Sequence, residues 1–504
     1  MRDDSTYYIT RWLFLRLLGF IYLFAFASFL TQTDGLIGQH GVCPASELLA
    51  DAAKSQGMER YWMLPTLAWY DSSNAFLEFL SGGGVVLSLL LILGIGTTPA
   101  LVLLWLFWLS IVSVADVFSG FQSDGLLLET GFLAIFLAPA QLLAPPWTGP
   151  AWATRDAAPS KVVLWLLRWE VFRLIFGSGL AKLLGGDPYW GDLTALTYHY
   201  ETQPLPTPLG WYAHHLPRWF HKLSVIGTYV SELIGPPLMF GPRKCRLFSA
   251  ALMAFLQVLI ELTGNLTFLN LLAITLCIPL LDDQILRRIF PKKLADTITT
   301  SGQRAAPLRF EKFWIVPLAT VVIVVSSAQM TAMFLGSQML PRPVRTLLAV
   351  LSPFRTINPY GVFGVMTTER FELVLEGSQD GKTWLEYEFK YEPGPLNRPP
   401  PWVAPHQPRL DWRFWFAGMD ARVNEQWVVN FVVRLLEGSP DVIRLLGKNP
   451  FPNGPPRYIR IVRYQYYFTD METQRKTGKW WRREFRGEYM PPLTLRSGDD
   501  FDPS

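Results

Sequence analysis

The chain has 504 residues, of which 50% are hydrophobic, 14% aromatic and only 17% charged. Soluble domains carry about a quarter charged residues, so this composition excludes both an ordinary cytosolic enzyme and a disordered chain. A net charge of +4 leaves no electrostatic footprint for nucleic acid, and three scattered cysteines, Cys43, Cys245 and Cys277, are too few for a disulfide framework.

The hydrophobicity is concentrated before residue 335, in runs that approach the roughly 20 apolar residues a spanning helix needs. In chain order the predicted spans are Trp12 to Leu30, Val85 to Gly96, Ala100 to Val117, Leu126 to Leu143, Val162 to Leu184 and Leu223 to Phe240. Leu247 to Leu262 and Leu266 to Leu281 follow, split by Thr263, Gly264 and Asn265, and Phe313 to Leu335 is the last. The first run is too long and too aromatic for a cleaved signal peptide, and it reads as a retained anchor. The expected fold is a polytopic α-helical membrane bundle of about nine spans over residues 1–335. A β-sandwich-like soluble domain with helical insertions follows over 340–504.

Charges give the bundle a direction, because cytoplasmic loops collect Lys and Arg. One cluster is Arg2, Arg11 and Arg16, and a second is Arg243, Lys244 and Arg246. The third comprises Arg287, Arg288, Lys292, Lys293, Arg304, Arg309 and Lys312. Nine spans place all three in the cytoplasm, together with the N-terminus. The loop 185–222 and the C-terminal domain then share the far side, lumenal or periplasmic. Cys43 faces that side, Cys245 the cytoplasm and Cys277 the bilayer, each without a partner.

Beyond residue 340 the pattern changes to strands and turns. Phe371 to Leu375 and Trp384 to Phe389 flank the turn residues Gly377-Ser378-Gln379-Asp380-Gly381, a hairpin signal. The Ser378-to-Trp384 pattern is similar to a turn of jelly-roll binding modules. Tyr458 to Phe468 and Trp480 to Tyr489 read as further strands. Asn397 to Pro408 is too proline-rich for helix, and Leu410 to Leu436 is predicted helical.

Motifs of soluble catalysis are absent: there is no His-Glu-x-x-His, no Cys-x-x-Cys and no Gly-x-Ser-x-Gly. His214, His215 and His221 lack a completing carboxylate or thiol and read as interfacial residues beside Trp211, Tyr212 and Trp219, so no metal and no cofactor is expected. Ionisable residues within spans carry more information, since each is costly in hydrocarbon and faces a partner or cavity. They are Glu129, then Arg168, Glu170, Arg173 and Lys182 on one span, and Glu232 and Glu261. Glu170 and Arg173 are spaced to pair on one helix surface. The set reads either as interhelical ion pairs that fix the fold or as a polar cavity in which a buried Lys182 acts as a base. Lys182, near its helix end, could also snorkel to the interface.

The loop after the fifth span carries the string Leu193-Thr194-Ala195-Leu196-Thr197-Tyr198-His199-Tyr200-Glu201-Thr202-Gln203-Pro204-Leu205-Pro206. It closely resembles the hallmark of the lipase maturation factor family, in which Asp192, Thr194, Tyr198, His199, Tyr200, Glu201 and Gln203 belong to the motif. Further family-like strings are Leu127 to Leu133, Asn358-Pro359-Tyr360-Gly361, Met366 to Arg370, Pro399 to Trp412 and Asn449-Pro450-Phe451-Pro452. The resemblance implies a chaperone-like membrane factor for the folding and assembly of secreted dimeric lipases. It also implies an endoplasmic reticulum location in animals, with the C-terminal domain lumenal and no catalytic site. The chain ends at Ser504 without an ER-retrieval signal, so a bacterial inner-membrane setting is an equal expectation. The Asn265-Leu266-Thr267 sequon is expected to lie too near the bilayer for glycosylation.

The expected partners are a lipase-like client and membrane lipids, with no nucleic acid. A client surface needs exposed apolar groups. Trp402, His406, Arg409, Trp412 and Trp415, with Phe414 and Phe416, could supply it, or could instead form the domain's own core or its seam with the bundle. The membrane half also resembles, distantly, the multi-helix fold of vitamin K-dependent carboxylases. There Gly179 to Leu183 matches a lysine-bearing segment, and only Lys182 carries over. A membrane enzyme, or a lipid- or quinone-binding protein using Lys182, is therefore the alternative.

Overall fold

A computed structural model of the chain describes residues 6–139, 158–302, 311–361, 363–419 and 426–495. Arg2, Arg304 and Arg309 of the predicted charge clusters, and residues 140–143 of the fourth predicted span, lie outside them.

Each predicted apolar run has a helical counterpart. They are α1 (Tyr8–Leu30), α2 (Asn74–Leu93), α3 (Thr97–Val114), α4 (Gln122–Leu137) and α5 (Lys161–Leu184). After the motif loop, which forms α6 (Ala195–Thr202) and α7 (Pro208–His214), come α8 (Arg218–Tyr229), α9 (Arg243–Thr263), α10 (Leu269–Cys277) and α11 (Glu311–Leu335). Among the described residues, five helices are long and apolar enough to cross a membrane: α1, α2, α3, α9 and the Phe313–Leu335 part of α11. The expected count of nine is not carried by length and hydropathy. α4 has only 16 residues and α10 only nine before a 3₁₀ turn. α5 carries Arg168, Glu170, Arg173 and Lys182. The run after α8 passes into a π-helical turn at Val230–Ile234 and then a short helix containing Pro236 and Pro237. An apolar run in a sequence counts residues that face neighbouring helices along with those that face lipid.

Packing in the bundle is tightest around α1. Phe14, Tyr22, Phe26 and Phe29 are fully buried, and Trp108 of α3 meets the rings of Phe26 and Phe29 edge-on at 5.1 and 6.3 Å. α2 reaches α1 through a glycine: a Cβ at Gly84 would stand 2.2 Å from the Phe26 ring. Small residues that let helix backbones approach are the usual device of membrane interfaces.

The C-terminal part is built on antiparallel sheets. Strands β1 (Arg370–Ser378), β2 (Leu385–Glu386), β5 (Tyr458–Phe468) and β6 (Trp481–Leu493) form one sheet in the order β2-β1-β5-β6. β3 (Glu388–Phe389) pairs with β4 (Leu446–Lys448). The predicted hairpin is present, with the Asp380 carboxylate accepting from the Lys382 and Thr383 amides at 2.8 and 2.7 Å. An amphipathic helix, α12 (Arg342–Leu351), leads into this part. The partner layer of the main sheet is helical rather than a second sheet of similar size. Gly418 of α13 (Arg409–Met419) lies so close to β1 that a Cβ there would be 2.6 Å from the Phe371 carbonyl oxygen. Phe414 packs its ring at a tilt against Phe389 at 4.6 Å and edge-on to Phe431 of α14 (Gln426–Leu436) at 5.1 Å.

Replacing Gly84 by Leu forces α1 and α2 apart. We expect a loss of about 1–3 kcal/mol, read as a lower unfolding temperature and a broadened size-exclusion profile in detergent.

Candidate functional site

The ionisable residues of the bundle do not converge on one centre. They form three separate stations. At the first, Glu129 of α4 pairs with Arg173 of α5, both fully buried. The second oxygen of Glu129 accepts the Asn358 amide at 2.9 Å and the Tyr360 hydroxyl at 2.6 Å, while Arg173 donates to the Asn358 carbonyl at 3.0 Å. Glu170 is not the partner of Arg173 that its spacing suggested. It accepts the Thr130 hydroxyl at 2.6 Å, because α4 crosses beside it and offers Glu129 as the closer anion for Arg173. Arg168, nearer the start of α5, donates to the Pro279 carbonyl at 2.9 Å and lies over the Tyr7 ring.

Lys182 forms the second station. It is buried rather than snorkelling, 3.0 Å from Glu232 and 3.3 Å from the Ser178 carbonyl, with the Trp190 ring 5.3 Å from its Nζ. The π-helical turn at Val230–Ile234 delivers Glu232; such bulges recur at functional sites. Lys182, Glu232, His199, Gln257 and Asn270 share a cavity of about 90 Å³ with apolar neighbours such as Leu174 and Phe363. Burial and the Lys182 cation push the His199 imidazole down to about 4, so it is neutral at physiological pH. Glu261 stands apart, accepting from the Asn270 amide at 3.0 Å.

The motif loop is the third station, and it clamps the two halves of the chain together. Asp192 caps its own turn through the Thr194 amide and hydroxyl, and Tyr198 packs edge-on to Tyr189. Tyr200 is buried beside His221. Arg370, at the head of β1, donates to the carbonyls of Glu201, Gln203 and Pro204 and pairs with Glu372. The Glu201 carboxylate accepts the Phe468 amide at 2.6 Å, and the Gln203 side chain donates to the Thr263 carbonyl at 2.7 Å. Thr202 donates to the Thr367 carbonyl and receives the Trp415 indole at 3.0 Å.

The proposed client residues fall mostly into the same seam. Arg409 makes a bidentate pair with Asp124 at 2.8 Å and also donates to the Phe118 carbonyl at 2.6 Å, all buried. His406 lies 2.9 Å from the Ser28 hydroxyl. Trp412 and Trp415 are buried, while Trp402, at 55%, and Phe416, at 36%, are exposed. Asn265 of the sequon is buried too. Its amide donates to the Leu205, Pro206 and Pro401 carbonyls, and its oxygen accepts the Val403 and Ala404 amides. Its side chain is therefore fully engaged in the fold.

Among the described residues no group of His, Cys, Asp and Glu is arranged to hold a metal. The histidines instead knit the seam, with His215 Nε2 2.9 Å from the Thr469 carbonyl. The three cysteines are free thiols. Sequence reasoning did not single out Asp124, Asn358, Tyr360, Asn265 and Arg370 as functional or structural centres, although three of them fall within the family-like strings.

Two family profiles cover the chain: the lipase maturation factor transmembrane domain over residues 9–288 and the lipase maturation factor C-terminal domain over 356–491. The chain belongs to the lipase maturation factor family. Lipase maturation factor 2 of Homo sapiens is 36% identical, covering 97% of this chain and 83% of that protein. Lipase maturation factor 2 of Xenopus tropicalis is 34% identical over 97% of this chain and 82% of its own length. Lipase maturation factor 1 of Mus musculus is 33% identical, with 97% of this chain and 88% of that one covered. No solved structure matches.

In this family member the buried charges of the seam and the C-terminal part yield two predictions. Removing the Arg409 cation (Arg409→Met) leaves Asp124 buried and unpaired, which costs about 3–5 kcal/mol; thermal unfolding in detergent should show it. The second concerns the carboxylates behind Arg370. Burial raises Glu372 to about 7, Asp411 to about 6 and Glu392 well above the usual range. Folded pKa values above the unfolded ones mean that the folded state holds extra protons, so this contribution is full below about pH 4 and is lost as pH rises through 6 to 7. A Glu392→Gln variant should therefore unfold a few degrees above the parent at pH 8 and near it at pH 5.

Proposed function

We propose that this chain is a membrane-embedded factor that assists secreted, dimeric lipases to reach their folded and assembled state. The observation that carries the reading is similarity to lipase maturation factors along nearly the whole chain. Five helices of spanning length and apolarity support membrane residence. The charge clusters support a cytoplasmic N-terminus and a lumenal or periplasmic C-terminal domain from about residue 340. The compartment is the endoplasmic reticulum membrane in a eukaryote and the inner membrane in a bacterium.

The reading asks for a scaffold, not a catalyst. Lys182 is held by Glu232 in a cavity of about 90 Å³, well below the ~300–1,000 Å³ typical of small-molecule sites, which does not favour a carboxylase-like or quinone site. Client contact falls instead to exposed apolar groups of the C-terminal part, with Trp402 at 55% and Phe485 at 61% exposure.

The test is co-expression with a dimeric secreted lipase in cells lacking their own maturation factor, with secreted lipase activity per unit antigen as the readout. The chain should restore specific activity, and failure to do so at normal expression defeats the proposal. Lys182→Met combined with Glu232→Gln removes the buried pair as a unit, which is far milder than leaving one charge alone. A scaffold retains rescue in this double variant, whereas a Lys182 catalyst loses it. Trp402→Ala with Phe485→Ala should lower rescue without lowering the factor's own yield.

A further inference from the structure

A second, much larger space lies where the last spanning helix ends. Between the C-terminal end of α11, the N-terminal turn of α4 and the face of α13 is a cleft of about 850 Å³. That volume is within the ~300–1,000 Å³ typical of small-molecule sites. Trp412, Trp415, Phe416 and Met419 present one stripe of α13 to it at helical spacing, and Phe121 and Met333 face them from the bundle.

Most polar groups of this wall are already bonded, Asn358 and Tyr360 to Glu129 and the Trp415 indole to the Thr202 carbonyl, but two donors are not. Arg355 is the one residue with a formal charge among the described residues lining it. Its guanidinium pKa is lowered, chiefly by burial, which outweighs the opposing pull of Asp124, with a smaller push from the Arg409 charge. The two unbonded donors, the Thr267 hydroxyl and the Trp412 indole N–H, are buried and have no hydrogen-bond partner among the described residues. A buried donor without an acceptor is costly; both belong to residues of the cleft wall, and a rotation of either side chain would present its donor to a ligand oxygen. The backbone points to the same place. Five described residues other than glycine have positive φ, and three of them line this cleft: Thr267 at 62°, Arg355 at 49° and Phe363 at 54°. Strain of this kind collects at binding sites and clamps.

We propose that the cleft binds a single-chain anionic amphiphile, a long-chain fatty acid whose carboxylate sits on Arg355 and whose acyl chain lies along the aromatic stripe of α13. One cation matches one carboxylate, which a guanidinium can take through two parallel hydrogen bonds. A phosphomonoester, at roughly −1.5 to −2 charge, would ask for more than the wall offers. The place fits an amphiphile as well. Met333 lies close to the end of the Phe313–Leu335 span and is 39% exposed, so the cleft opens near the level where lipid headgroups lie.

The experiment uses the full-length chain in detergent. Saturable binding of radiolabelled oleate is measured for the parent, Arg355→Gln and Arg355→Lys, with oleyl alcohol as an uncharged competitor. The parent should bind oleate, Arg355→Gln should bind it at least about tenfold more weakly, and Arg355→Lys should recover part of the loss. Oleyl alcohol should compete equally weakly in all three. A diazirine-bearing fatty acid should cross-link the parent at Trp412 to Met419 or at Met333, a readout that does not depend on any variant folding. Equal oleate affinity in the Gln variant, or cross-links confined to other regions, overturns the proposal. So does tighter binding of lysophosphatidic acid than of oleate. It also falls if the cleft takes no oleate but is shielded from labelling by an unfolded lipase chain, since the occupant is then polypeptide.

Discussion

A carboxylate inside an apolar helical bundle has to be compensated or protonated, and Glu129 is compensated from two directions at once. Arg173 of the adjacent helix supplies the counter-charge, and the Asn358–Tyr360 segment supplies an amide and a hydroxyl. Because that segment leads into the C-terminal part, satisfying one charge in the bundle also positions everything downstream. Removing either half of the arrangement would strand a buried ion, which is why such sites hold geometry strongly even where their net contribution to stability is small. Two further buried cations repeat the principle: Arg409 on Asp124 and Arg370 on three carbonyls of the motif loop.

This gives the family string a physical meaning. Leu196 and His199 of the string line the Lys182 cavity, while others of its residues serve docking. Glu201, Thr202 and Gln203 spend their hydrogen bonds on β1, β5, the segment before β1 and the end of α9. The string is a plug of short helices whose backbone carbonyls are read by the C-terminal strands, so its composition is constrained by docking on both sides. This docking leaves a cleft of about 850 Å³ beneath α13.

What was legible in the sequence followed from local rules. Each apolar run became a helix, the Asp380-Gly381 turn became the expected hairpin, and the buried ionisable residues were found by their cost in hydrocarbon. What was not legible depended on partners far along the chain. Glu170 and Arg173 are correctly spaced to pair, yet a neighbouring helix offered Arg173 a better anion. Trp412 and Trp415 look like exposed binding aromatics, and their burial is decided by contacts with the bundle. The interruption after Tyr229 was missed because the apolar residues of Leu223 to Phe240 outweigh Ser231, Glu232 and the two prolines in an average over the run. The span count suffers for the same reason: periodicity reports apolarity and says little about whether lipid or protein covers it.

The ion pair between Asp124 and Arg409 joins residues 285 positions apart. A ribosome making this chain would release Asp124 long before its partner exists, and Glu129 likewise waits 231 residues for Tyr360. Until then the early helices carry acidic groups that the bilayer does not tolerate bare, so they must stay protonated, wet or shielded by another protein. A factor that aids the folding of others thus enters the membrane with an unfinished interior of its own, and its final form is reached only after the last strands have been made and brought back to the first helices.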